Sequence, residues 1–154
     1  MSSSAPASAP APVPLVMQLI VDGASSTSFG WPKGPWMAQS AHAAIAAIQT
    51  SLDSAATREY VSSANLESMH KVTLQTPAEG KAKMTLPQLS EKLTAARAEW
   101  EKTRNAASED ADEFPRHFLW IEQPENVPTC LAIAPNRKPA ALKKVLRPCT
   151  LLKE

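Results

Sequence analysis

The chain of 154 residues contains two cysteines, Cys130 and Cys149. That is too few for a disulfide framework and too sparse for a metal-ligand cluster, and such usage fits a reducing compartment. No apolar run approaches the ~18–20 residues that a membrane span requires. The N-terminus lacks the basic start of a secretory signal and the arginines of a mitochondrial presequence, and Pro10, Pro12 and Pro14 interrupt any signal core. The expectation is a soluble, cytoplasmic protein without a membrane partner. Net charge is also scarce. A formal charge of +1 argues against binding long nucleic acid by bulk electrostatics.

The charge that is present is unevenly placed. Residues 97–115 hold six acids against three bases, and residues 136–154 hold six bases against Glu154 alone. A local basic surface on a near-neutral protein is therefore available. The length suits one domain with a genuine core and hardly two. Residues 1–14 are almost entirely Ser, Ala and Pro, which reads as a disordered tail, and residues 15–154 form the domain.

Leu15 to Val21 is a near-continuous apolar strand of the kind covered on both faces. Pro35 suits the first turn of the helix that follows, whose buried face is expected at Ala38, Ala41, Ile45, Ile48 and Leu52. A short helix around Thr57 to Asn65 precedes a strand from Met69 to Gln75. Thr85-Leu86-Pro87-Gln88 has the spacing of a capping box, and it starts a helix with the stripe Leu86, Leu89, Leu93, Ala96 and Trp100. Asn105 to Glu113 reads as an acidic loop. Phe118 to Ile121 and Cys130 to Ala134 are two more strands, joined by a turn over Gln123 to Pro128. Pro139 opens a last helix on Leu142, Val145 and Leu146. The order β-α-(α)-β-α-β-β-α gives a layered α/β/α domain around a small mixed four-stranded sheet.

The most informative stretch is residues 30–44, a loop of Gly, Pro and Trp with one lysine that opens a helix of small residues. Gln39 and His42 stand three positions apart on one face of that helix, beside an N-terminus that attracts phosphate. The segment Lys33-Gly34-Pro35-Trp36-Met37-Ala38-Gln39-Ser40-Ala41-His42-Ala43-Ala44 is similar to the K-G-K-x-A-A-Q-x-x-H-A-A helix start of the type II peptidyl-tRNA hydrolase family. Thr129-Cys130-Leu131-Ala132-Ile133-Ala134-Pro135 resembles that family's T-x-L-x-I-x-P strand. Trp31-Pro32-Lys33-Gly34 and Glu122-Gln123-Pro124-Glu125-Asn126 resemble its offshoot, the peptidyl-tRNA hydrolase domain-containing proteins. The likeness spans about Leu15 to Lys153.

The resemblance implies an esterase that cleaves the bond between a peptide and a tRNA 3′ end without cofactor or metal. The partner it implies is peptidyl-tRNA or a tRNA 3′ end. A homodimer is compatible with it, and no protein partner is named by it. The family's second lysine falls on Pro35, and its D-A-G-R-T loop is replaced by Gln123-Pro124-Glu125-Asn126, which puts Gln123 at the aspartate position. Glu122 and Glu125 are the carboxylates near that loop that could stand in for the missing acid. Lys33, Gln39, His42 and Thr129 keep the family's residues. These departures leave open a module that binds an RNA end, or a protein, without turnover.

Such hydrolysis needs an activated water, a stabilised oxyanion and a protonated leaving oxygen. Spacing alone favours His42 as a boundary-helix histidine bonded to a backbone carbonyl, whereas the resemblance gives it the acid/base role. Gln39 either orients water or a carbonyl or is a solvated helix amide. Thr129 offers a hydroxyl at the site mouth or is a structural strand-start residue. Lys33, with Gly34 at the helix start, is a phosphate clamp or a solvated loop lysine. Trp31 and Trp36 either stack on a terminal adenine or pack against strand ends, Trp36 more readily the latter. His70 and His117 receive no role. The basic stretch from Arg137 to Arg147 reads as a solvated face unless it joins Lys33 along the tRNA.

Overall fold

The computed structural model describes residues 13–24, 30–104 and 113–153. The Ser/Ala/Pro tail up to residue 12 and the acidic loop up to residue 112 lie outside the described residues. Four strands form where the apolar runs place them: β1 (Val16–Val21), β2 (His70–Gln75), β3 (His117–Glu122) and β4 (Val127–Asn136). A fifth, β5 (Thr150–Leu151), pairs antiparallel with β2 and corrects the expected four-stranded sheet to five. Two exposed residues carry no alternation that sequence could register. The sheet order is β3-β4-β1-β2-β5. β1 runs parallel to β2 and antiparallel to β4, and all six of its residues are buried.

Helices cover both faces. The helices α1 (Lys33–Gln49) and α2 (Ala55–Tyr60) lie on one face, where Ala43, Ala44, Ala47 and Tyr60 meet Met17, Leu19, Val21 and Cys130. A 3-10 helix over Ser63–Ser68 replaces the second half of the short helix expected there. The helices α3 (Leu86–Thr103) and α4 (Ala140–Leu146) lie on the other face, with Leu86, Leu89, Leu93 and Leu142 packed on Ile20, Leu131 and Ile133. Each fully buried leucine of this kind contributes ~1.5–3 kcal/mol. The α3 start is a capping box: the Gln88 N–H donates to Thr85 Oγ1 at 3.3 Å, and the Thr85 N–H donates to Gln88 Oε1 at 2.9 Å.

The buried face of α1 differs from the expected one. Gln39, Ala43, Ala44 and Ala47 point inward, with Trp36 and Ile48 packed alongside. Ala38 and Ala41 are exposed, and Ile45 and Leu52 remain 68% and 42% exposed. The reason is volume. Trp36, Phe118, Trp120 and Tyr60 already fill the space between α1 and the sheet, so the helix turns its small residues toward them. The second correction is at the hairpin. β4 begins at Val127 and runs through Pro128, which shortens the turn to residues 123–126.

This packing predicts opposite responses at neighbouring positions of α1. Ala43→Val overfills a fully buried contact and should cost ~1–3 kcal/mol. Ile45→Ser should change stability by no more than ~0.5 kcal/mol. Urea denaturation of both variants checks this, and the reverse ranking would restore the expected face.

Candidate active site

The residues brought together lie at the end of the sheet where β1 stops. Val21 pairs there with Cys130, and the hairpin from Glu122 to Val127 projects just beyond. The chain leaving β1 is held tightly at this end: the Gly23 N–H donates to Thr76 Oγ1 at 3.1 Å. An added Cβ at Gly23 would collide with the Thr76 carbonyl, so glycine is needed for this close approach. α1 begins on the same edge and packs chiefly across β4 and β3.

The central contact is between Gln39 and Thr129. Gln39 is 5% exposed and Thr129 1% exposed, and the Thr129 hydroxyl donates to Gln39 Oε1 at 2.9 Å. Thr129 reaches α1 because of a β-bulge. Trp120 pairs with Cys130 and Ile121 with Pro128, so Thr129 is the extra residue on β4. A bulge of this kind re-aims a side chain that strict alternation would send to the other face.

The Gln39 carbonyl oxygen is engaged by this bond, and its amide also acts on Glu122. The Glu122 carboxyl is held below the ordinary carboxylate range, chiefly by the hydrogen bond from Gln39. Desolvation opposes this, and the Gln123 backbone N–H, which donates to Glu122 Oε1 at 3.1 Å, supports it. The Trp120 indole adds a weaker pull without meeting hydrogen-bond geometry, and the charge of His42 adds another. His42 lies one turn beyond Gln39, exposed at its edge, with its ring stacked on Trp120 at 4.7 Å between centroids and 22° between planes.

Of the other expected residues, Lys33 and Gly34 occupy the first turn of α1 and both are exposed. Pro32 is the N-cap and brings no side-chain hydrogen bond to the helix start, which leaves that end suited to an anion. Trp31 and Trp36 pair at 5.3 Å with their planes tilted by 46°. Gln123 does not join the group. Its amide donates to Asn126 Oδ1 at 3.3 Å inside the exposed turn, which also holds a cis Gln123–Pro124 peptide and Asn126 at φ 57°. The carboxylate among the clustered side chains is Glu122, and Glu125 is exposed in the turn. Trp120 is the component that sequence reading missed. Its place two residues before Glu122, on the same face of β3, was the available signal.

The basic stretch also lies elsewhere than along the groove. Leu142 anchors α4 on the α3 side of the sheet, and Arg137 is held by both oxygens of Glu59 and by the Val13 carbonyl. His117 bonds with Ser90 Oγ at 2.7 Å on α3, and burial lowers its pKa. Burial pushes the Cys130 thiol up to about 12 and the Cys149 thiol up to about 11, so neither is a thiolate nucleophile near neutral pH. Among the described residues no group of three or more His, Cys, Asp or Glu is placed to hold a metal ion, and no helix is long and apolar enough to cross a membrane.

The family profile described as peptidyl-tRNA hydrolase PTH2 matches residues 15–152. The chain is 35% identical over 133 residues to the human protein named "Putative peptidyl-tRNA hydrolase PTRHD1", a match covering 86% of this chain and 79% of that protein. The mouse protein of the same name is 34% identical over 114 residues, covering 74% of this chain and 65% of that protein.

The influence of Gln39 on the Glu122 carboxyl makes a specific prediction. Gln39→Leu removes the amide that holds the carboxylate, so the Glu122 pKa should rise toward its ordinary value. Carboxyl-carbon NMR titration of the two proteins measures this directly. An unchanged pKa would remove Gln39 from the control of Glu122.

Proposed function

The chain belongs to the peptidyl-tRNA hydrolase PTH2 family, and on that premise we propose that it hydrolyses the ester between a peptide and the 3′ end of tRNA. The observation that carries this reading is the hydrogen bond between Gln39 and Thr129, with Glu122 under the influence of Gln39 and His42 one helical turn away. Each has a distinct task. His42 is the acid/base group, since an imidazole can both accept and donate a proton. It takes a proton from the attacking water and returns one to the departing ribose oxygen. Stacking on Trp120 fixes the plane of the ring, and the ionised Glu122 favours the imidazolium that forms as the water loses its proton. Gln39 is itself fixed by Thr129, so its amide presents donors in a set direction to the carbonyl or to the water.

The tRNA side belongs at the helix start. Lys33 and the first N–H groups of α1 receive a phosphate near the 3′ end, and Trp31 offers a face on which the terminal adenine stacks. The family's second lysine is replaced by Pro35, and Gln123 is spent on its own turn. Those two departures favour the second reading, a module that binds the tRNA end without cleaving it.

Single-turnover hydrolysis run beside tRNA binding separates the two. The enzyme reading predicts metal-independent release of peptide, with His42→Ala slower by roughly 10²-fold or more. Binding with no cleavage beyond the uncatalysed rate selects the second reading. Salt dependence then locates the tRNA. Lys33→Ala should reduce the slope of log affinity against log salt by about 0.7, the value of one phosphate. The pair Lys143→Ala with Lys144→Ala, on the opposite face, should leave it unchanged.

A further inference from the structure

The reading above seats the tRNA at the start of α1 and leaves the peptide half of the substrate to be placed. β3 is the outermost strand of the sheet. It bonds to β4 on one side, and no described strand pairs with its other edge. Edge strands are ordinarily blunted by proline, lysine or a bulge of their own. His117-Phe118-Leu119-Trp120-Ile121-Glu122 has no proline or lysine, and the bulge in the hairpin belongs to β4.

The two ends of this strand are unlike. Glu122 lies in the candidate site, and His117 opens on a cleft of about 440 Å³. The lining places that cleft beside the strand edge. Thr50 and Phe118 come from the α1 side, while Arg97 and His117 come from the α3 side. A space lined from both faces of one edge strand lies at the edge itself. The aromatic series His42, Trp120, Phe118, with successive centroids 4.7 and 6.3 Å apart, connects it to the site. Charge in and around the cleft is mutually satisfied: Arg97 pairs with Glu101 at 3.2 Å and Glu113 at 3.6 Å, and Arg116 pairs with Asp53.

We infer that the open edge of β3 seats the peptide of peptidyl-tRNA as an added strand, running from the ester near Glu122 to the cleft at His117. The inference rests on the hydrolase reading and gives its substrate a direction. Main-chain pairing is indifferent to side chains, and a peptidyl-tRNA carries no fixed peptide sequence. Both guanidiniums at the cleft are already paired with carboxylates, so neither is left to select an acidic side chain. Six residues at ~3.3 Å each give a seat of about 20 Å, or five to six peptide residues.

The test leaves the protein unaltered. Oligonucleotides ending in CCA are joined through a stable amide to peptides of one to seven residues, and binding is followed by fluorescence anisotropy. Affinity should tighten by about tenfold or more as the peptide grows to five or six residues and then level off. N-methylation should weaken binding by about fivefold at every second amide and leave the intervening ones unaffected. Poly-Ala, Ser-rich and Gln-rich peptides should bind alike. A one-residue conjugate that binds with no gain from length, or N-methylation that acts equally at all positions, overturns the β3 seat and leaves the hydrolase reading standing. Failure of every conjugate to bind overturns both. A stable dimer in sedimentation that the longest conjugate does not dissociate places a second copy on the edge and overturns the seat as well.

Discussion

A glutamine buried between a helix and a sheet must be satisfied, and the structure of this site follows from how Gln39 is satisfied. An unpaired amide in that position would cost on the order of 1–3 kcal/mol. Alternation along β4 would present apolar side chains to it. The bulge at Thr129 inserts one residue and brings a hydroxyl to Gln39 Oε1. With the carbonyl bound by Thr129, the amide acts on the Glu122 carboxyl and lowers its pKa. His42 then falls one turn away on the same helix, flat against Trp120. Helix rotation, bulge and carboxylate placement are one linked solution to a single buried polar group.

That linkage explains what was legible in the sequence. The strand runs, the capping box at Thr85 and the leucine stripe of α3 are local patterns, and they form where local physics places them. The face of α1 is not a local property. Ile45 and Leu52 are the larger apolar residues, but the space under the helix is filled by Trp36, Trp120, Phe118 and Tyr60, three of which come from β3 and α2. The two-residue β5 was illegible because its pairing with β2 depends on tertiary placement alone.

The site was legible in the same uneven way. Gln39, His42, Lys33 and Thr129 stood out by spacing and by resemblance; in the structure Gln39 bonds to Thr129, His42 stacks on Trp120, and Lys33 opens the helix. The resemblance put Gln123 at the family's aspartate position and left Glu122 and Glu125 as the carboxylates that could stand in for it. In the hairpin, residue 122 is the last of the strand and shares the face of Trp120, whereas residue 123 has entered the turn and bonds to Asn126. The pairing of Glu122 with Val127 marks where the strand ends and the turn begins.

The central claim is that Glu122, held by Gln39, supplies the negative charge beside His42 in this chain. Single-turnover hydrolysis of a peptidyl-tRNA by Glu122→Gln and by Gln123→Ala tests it most directly. The account predicts a loss of about tenfold or more for Glu122→Gln, the order of an electrostatic group acting on the transition state, and a change within about twofold for Gln123→Ala. Full activity in Glu122→Gln with a large loss in Gln123→Ala would contradict it, and would return the acid position to the turn.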